Sequence, residues 1–193
     1  MSGSRGRKAV FIDRDGTINC EKEYLFRTEE CSFISGAPEA IRLLNKAGFK
    51  VIVVTNQSGI GRGFFTEKDV RKLHQFMDEK LAGFGAFIDA WYLCPHHPDH
   101  GIGEFKRHCD CRKPQPGMLF EAAGDLGVDL AASYIVGDKL ADIKAGIAAG
   151  CLPILVRTGY GASVEPMAPA GVPVFDDLLD AAQFISCLAK QVG

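Results

Sequence analysis

The stretch Ala9-Val10-Phe11-Ile12-Asp13-Arg14-Asp15-Gly16-Thr17 sets four apolar residues directly against two carboxylates one residue apart. An unbroken apolar run of this length suits a strand buried on both faces, and such strands belong to parallel sheets covered by helices. The switch to Asp, Gly and Thr marks the carboxyl end of the strand, where the chain turns into a loop. Two carboxylates placed there are costly unless a cation joins them. Mg²⁺ prefers hard oxygen ligands, so the spacing nominates Asp13 and Asp15 as metal ligands, with a third carboxylate to be found elsewhere.

Working outward, further apolar runs occur at Lys50 to Val54, Phe87 to Leu93, Tyr134 to Val136 and Leu152 to Val156. They alternate with stretches of helical spacing: Pro38 to Ala47, Thr66 to Ala82, Gly117 to Leu126 and Leu140 to Ala149. Thr66 suits an N-cap, and Gly48, Gly127 and Gly150 stand where helices end. Leu178 to Val192 adds an amphipathic helix with Leu178, Leu179, Ala182, Ile185 and Leu188 on one face. This order predicts an α/β fold, a three-layer, doubly wound (Rossmann-like) parallel sheet, whose ligands bind at the carboxyl ends of the strands. The chain is expected to form one domain over 1–193. Asn19 to Ser35, Cys94 to Pro116 and Thr158 to Pro173 break the alternation and read as loops.

The other strand ends carry chemistry too. Asp138, in Gly137-Asp138-Lys139-Leu140-Ala141-Asp142, is the expected third carboxylate for Mg²⁺, while Asp142 suits either the site or a helix start. Val54-Thr55-Asn56-Gln57-Ser58-Gly59 offers hydroxyl, amide and backbone N–H groups to phosphoryl oxygens. Lys113, in Cys111-Arg112-Lys113-Pro114, can offset the gathered negative charge and keep Asp13 ionised as a nucleophile.

Within the long central loop, Cys94-Pro95-His96 and Cys109-Asp110-Cys111 form two pairs of soft ligands that can close on one tetrahedral Zn²⁺. With four protein donors the site would be structural, fixing the loop at about 94–111 and with it the direction of Arg112 and Lys113. His97, His100 or His108 could take the place of His96. Cys20, Cys31, Cys151 and Cys187 have no partner at ligand spacing.

Composition removes several classes of function. The 22 Lys and Arg against 24 Asp and Glu, a net charge of −2, give no footprint for nucleic acid or anionic lipid. No apolar run approaches a membrane span, and the four residues between Lys8 and Asp13 are too few for a signal peptide, so a cytoplasmic protein is expected. Seven cysteines, an odd number, agree with a reducing compartment. A monomer is expected, since no apolar stripe is left once the sheet-packing helices are assigned.

Asp13-x-Asp15-Gly16-Thr17, the strand-end Thr55, Lys113 before a helix and Gly137-Asp138-x-x-x-Asp142 together resemble the haloacid dehalogenase superfamily of phosphatases. The resemblance implies that Asp13 attacks phosphorus to give an aspartyl-phosphate, with Asp15 protonating the leaving oxygen and then activating water. It implies Thr55 and Lys113 as stabilising groups, and Mg²⁺ on Asp13, Asp15 and Asp138. The intervals between motifs leave no room for a separate cap domain. With the zinc loop included, the chain is similar from about Ala9 to Gly159 to the heptose-1,7-bisphosphate 7-phosphatases, which are capless and bear zinc on the positions of Cys94, His96, Cys109 and Cys111. By that resemblance the substrate, a small sugar bisphosphate, is held by Asp13, Arg14, Asp15, Glu21, Lys22, Glu23, Tyr24, Thr55, Asn56, Gln57, Ser58, Arg112, Lys113 and Lys139. The histidinol-phosphate phosphatases share the same motifs and take a cationic amine instead. More remote are a nucleic-acid end phosphatase and a zinc-stabilised binding module without catalysis.

Overall fold

The computed structural model describes residues 6–191. In chain order these build β1 (Ala9–Ile12), α1 (Ala37–Lys46), β2 (Lys50–Asn56), α2 (Ser58–Gly61), α3 (Glu67–Ala82), β3 (Ala90–Cys94) and α4 (Gly117–Leu126). Then follow β4 (Tyr134–Gly137), α5 (Leu140–Ala149), β5 (Leu152–Val156), α6 (Gly161–Val164), β6 (Val174–Phe175) and α7 (Leu178–Gln191). The six strands form one sheet in the order β3-β2-β1-β4-β5-β6, and every pairing is parallel.

Alternation along the strands divides the core in two. Val10 and Ile12 of β1, with Val51 and Val53 of β2, face α1, α3 and α7 through Ile41, Leu44, Leu73, Met77 and Ile185. Ala9 and Phe11, with Ile52 and Val54, face α4 and α5 through Met118, Leu119, Ala122 and Ala145. Both faces of β1 are therefore dry, as its unbroken apolar sequence requires. The chain leaves β1 for β2 on one side and returns to β4 on the other. The crevice at this reversal is where an open α/β sheet binds ligands.

Local chemistry sets the helix ends. The Thr66 hydroxyl accepts from the Asp69 N–H at 3.3 Å while the Asp69 carboxylate accepts from the Thr66 N–H at 2.9 Å, a reciprocal box that starts α3.

The start of β3 and three short elements differ from expectation. β3 begins at Ala90, because Phe87 is 54% exposed and its N–H goes to the Asn45 side chain. The two-residue β6 and the single-turn α2 and α6 are too short to leave a periodic signal. Between Cys94 and Pro116 the chain has neither strand nor α-helix, only the 3₁₀ turn at Gly103–Phe105. Val192, expected within the last helix, lies outside the described residues. No helix among the described residues is long and apolar enough to cross a membrane.

Candidate active site and metal centres

Asp13 closes β1 and is buried. Its Oδ1 accepts from the Arg14 N–H at 2.8 Å and lies 2.9 Å from Lys113 Nζ. The ammonium also donates to the Val54 carbonyl at 2.7 Å and meets Asp142 Oδ1 at 2.5 Å. Asn56, at the end of β2, holds the lysine by both backbone groups: its Nδ2 donates to Lys113 O at 3.0 Å and its Oδ1 accepts from Lys113 N–H at 3.1 Å. Burial works against the charge on Lys113, but the facing Asp13 and Asp142 carboxylates outweigh it and push its pKa up. The lysine stays an ammonium.

Asp138 follows β4, fully buried, with the Tyr160 N–H on its Oδ2 at 2.8 Å. Asp13, Asp138 and Asp142 each bring a carboxylate oxygen to within 4.8 Å of the others. Burial, then the Asp13 charge, pushes Asp138 up to about 7, and burial pushes Asp142 up to about 6. Lys139 Nζ sits at the edge of this cluster, 2.9 Å from Glu21, 3.6 Å from Asp138 and 3.9 Å from Asp13. The three carboxylates raise its pKa against the effect of burial.

Asp138 Oδ1 is buried and has no hydrogen-bond partner. A buried carboxylate oxygen without a hydrogen bond, met only by the Lys139 ammonium at 3.6 Å and beside another carboxylate, is the donor that a hard divalent cation satisfies, so the residues present fit Mg²⁺. The carboxylates that gather are Asp13, Asp138 and Asp142, where Asp13, Asp15 and Asp138 were expected. The Asp15 carboxylate is turned out of the cluster, because both of its oxygens are already engaged by Arg14, Asn19 and Gln57 at 2.8–3.1 Å. Asp142 stands in the cluster, but it is committed to Lys113 and to the Lys139 N–H at the start of α5. Asp13 and Asp138 remain as the side chains free to hold the ion.

Asp15 itself is on the same loop, its side chain largely buried at 15% exposure. Burial alone would raise its pKa, yet the Arg14 charge and the hydrogen bonds from Asn19, Arg14 and Gln57 outweigh it, so it is held below the ordinary carboxylate range. The Arg14 side chain, expected among the substrate contacts, is 0% exposed and points inward, its Nε and Nη2 spanning the two Asp15 oxygens. A guanidinium locked in this fork has no face left for substrate.

Thr55 lies beneath Asp13, its hydroxyl accepting from Gln57 Nε2 at 2.9 Å. Glu21, Lys22, Glu23, Tyr24, Asn56, Gln57, Ser58 and Lys139 line a cleft of about 250 Å³ that opens over Asp15, with Tyr160 on the far wall. Arg112 is not among them. It donates to the His96 carbonyl at 3.1 Å and faces a separate hollow beside Arg107 and His108, because the zinc-type loop carries its side chain away from the cleft.

In that loop Cys94, His96, Cys109 and Cys111 converge. The three sulfurs lie 3.2–3.5 Å apart, and His96 Nδ1 is 3.4 Å from Cys111 and 3.6 Å from Cys94. Three thiols and an imidazole at these spacings are the edges of a small tetrahedron, the donor set of a structural Zn²⁺. Burial and the neighbouring Arg107 lower the His96 pKa, favouring the neutral ring a metal requires. Of the histidines left open by spacing, His97 is occupied in a turn, accepting from the N–H groups of Asp99 and His100. Cys20, Cys31, Cys151 and Cys187 do not join the cluster.

Comparison with known proteins agrees with this arrangement. Residues 110–181 match the HAD-hydrolase-like family model. The D-glycero-β-D-manno-heptose-1,7-bisphosphate 7-phosphatase of Yersinia pestis is 47% identical over 84% of this chain and 87% of its own length. The protein of the same name from Escherichia coli K12 is 47% identical over 89% of this chain and 88% of its own. The chain belongs to the D-glycero-β-D-manno-heptose-1,7-bisphosphate 7-phosphatase family. Among solved structures, the D,D-heptose 1,7-bisphosphate phosphatase of B. bronchiseptica, crystallised with magnesium and phosphate, superposes with a TM-score of 0.83 at 38% identity. The match covers 92% of this chain and 97% of that one.

Several residues that shape this heptose-bisphosphate phosphatase site have no motif to announce them. Thr158 Oγ1 donates to the Gly16 carbonyl at 2.6 Å, tying the loop after β5 to the loop after β1. A Cβ on Gly159 would fall 2.7 Å from Gly16 Cα and closer still to the Asp138 carboxylate, so only glycine fits there. His74 is buried on α3, within reach of Arg14. Its signal was available: Val70, Leu73, Met77 and Leu81 form the buried stripe of α3, and helical spacing places His74 on that stripe.

Proposed function

We propose that the chain is a Mg²⁺-dependent phosphomonoesterase that removes the C7 phosphate of D-glycero-β-D-manno-heptose 1,7-bisphosphate through an aspartyl-phosphate intermediate. The observation that carries this reading is the Asp13 carboxylate, buried at the sheet's topological switch, with Oδ1 held by Lys113 and Oδ2 turned toward the cleft cation Lys139. In the first half-reaction Asp13 attacks phosphorus, the bond from phosphorus to O7 breaks, and Asp15 gives its proton to the departing oxygen. In the second, Asp15 takes a proton from water as the water oxygen attacks phosphorus and Asp13 is released. Asp15 is held as the carboxylate in the free site, the form the second step needs. The negative phosphoryl group beside it favours proton uptake before the first.

Lys113 and Thr55 are placed to stabilise the charge spread over the phosphoryl oxygens, and Asn56 fixes the lysine. Asp13 and Asp138 would hold Mg²⁺, which supplies charge neutralisation and in-line orientation of the phosphate when bound. Cys94, His96, Cys109 and Cys111 would hold a structural Zn²⁺. Glu21, the carboxylate best placed to draw an ammonium, is already paired with Lys139, which favours a bisphosphate over histidinol phosphate. The reading carries with it a cytoplasmic, monomeric enzyme in the synthesis of ADP-heptose for the lipopolysaccharide core.

The test is phosphate release with Mg²⁺ from heptose 1,7-bisphosphate and from histidinol phosphate under identical conditions. A kcat/KM at least about 1,000-fold higher for the bisphosphate is expected, the scale reached when a site has polar groups built for the second substituent. A preference in the other direction would assign the chain to histidinol phosphate. Asp13→Asn is expected to abolish turnover of both.

A further inference from the structure

The Arg14 guanidinium is fully buried, and its donors are distributed to four directions. Nε goes to Asp15 Oδ1 at 3.1 Å, and Nη2 goes to both Asp15 oxygens and to the Leu25 carbonyl at 3.1 Å. Nη1 meets His74 Nε2 at 3.3 Å. Arginine has no acceptor, so Nε2 must be the acceptor and the ring must carry its proton on Nδ1. Burial, reinforced by the Arg14 charge, lowers the His74 pKa to about 3, so the ring stays neutral. Behind it, His74 stacks on Trp91 with ring centroids 4.0 Å apart and planes within 16°. The indole is in turn anchored by its N–H to both oxygens of Asp78 at 3.2 Å.

We propose that His74 is a positioning residue for the proton-transferring carboxyl of Asp15, acting through Arg14: the chain Asp78, Trp91, His74, Arg14 sets the plane of the guanidinium fork and thereby aims Asp15 at the leaving oxygen. This inference rests on the reading of Asp15 as the general acid and base. A buried N–H left without an acceptor turns to find another, and a rotated guanidinium cannot span both Asp15 oxygens. His74 itself reaches neither Asp13 nor the cleft.

A positioned acid matters only when the leaving group needs a proton, and this separates positioning from folding. The experiment is a single turnover with enzyme in excess, following release of the leaving group from heptose 1,7-bisphosphate and from p-nitrophenyl phosphate, whose p-nitrophenolate departs unprotonated. His74→Leu removes the acceptor, His74→Gln keeps one, and Asp15→Asn removes the acid. His74→Leu is expected to slow the sugar about 30-fold and p-nitrophenolate less than about 3-fold, with His74→Gln close to the parent on both. Equal slowing of the two substrates by His74→Leu would show a purely structural role, and no slowing of either would show none; each overturns the proposal. Asp15→Asn is expected to give the same asymmetry more strongly. If it slowed both substrates alike, the acid reading of Asp15 would fall and take the positioning role with it, a result told apart from the failure of His74 alone.

Discussion

At the residue scale the site is a balance of buried charge. Asp13, Asp138 and Asp142 face Lys113 and Lys139, and one Asp138 oxygen has no hydrogen bond. Two buried residues that titrate in the acid-to-neutral range pull in opposite senses. Asp138, pushed up to about 7 from an ordinary 3.8, stabilises the metal-free fold fully below 3.8, and that contribution is lost as pH rises to about 7. His74, lowered from 6.5 to about 3, contributes stability above 6.5 that is lost as pH falls toward 3. A melt of metal-free protein alone mixes the two. The gain in melting temperature on adding Mg²⁺ cancels His74 and isolates the carboxylates, which must shed their protons to bind. That gain is expected to grow from pH 5 to pH 7, reaching about 5–10 °C at a Mg²⁺ concentration some hundredfold above Kd. A gain independent of pH would contradict the assignment of Asp138 as a ligand. Asp13 and Asp138 were legible in sequence because each stands directly behind a strand end, and Lys113 because its motif Cys111-Arg112-Lys113-Pro114 stands just before a helix. The orientation of Asp15 and Arg14 was not, since adjacent residues on a loop can face opposite ways and only their partners decide.

Elements explain why the rest was partly hidden. β1, β2, β4 and β5 are read within two residues of their ends because burial on both faces demands unbroken apolarity. Phe87 misleads the same rule: its aromatic ring suits a strand, but it stands exposed before β3 begins. The segment between β3 and α4 is ordered with almost no regular hydrogen bonding of its own, and what ties it together is the convergence of Cys94, His96, Cys109 and Cys111. Cys111 lies two residues before Lys113, so freeing the cysteines removes one of the anchors of the lysine's backbone and leaves Asn56 as the other. With the proposed zinc on this cluster, a chelator is expected to open the stretch 97–110 to protease, leave the far-UV circular dichroism within about 10% of the parent, and lower kcat at least about 10-fold. An uncut loop with full activity after complete zinc removal would show that the metal does not hold it.

For the whole molecule, the sheet order gathers Asp13, Asp15, Lys113 and Asp138 around one crevice and leaves no second domain among the described residues to close over it. The cleft is walled by the Glu21–Tyr24 loop and Tyr160, side chains that can adjust without large displacement. Small-angle scattering is therefore expected to give a radius of gyration of about 16 Å for the monomer, moving by less than about 1 Å when Mg²⁺ and a phosphate analogue are bound. A contraction of several ångströms would reveal a closure that this architecture does not provide. The same sheet order has a consequence for how the chain is made. β1 is the central strand, paired through Val10 with Val51 on one side and with Tyr134 on the other. During synthesis, at about 5–20 residues per second, β1 leaves the ribosome at least about 6 s before its second neighbour does. Over that interval the strand that leads into Asp13 has one edge bare, and a nascent chain halted before β4 carries that edge unprotected.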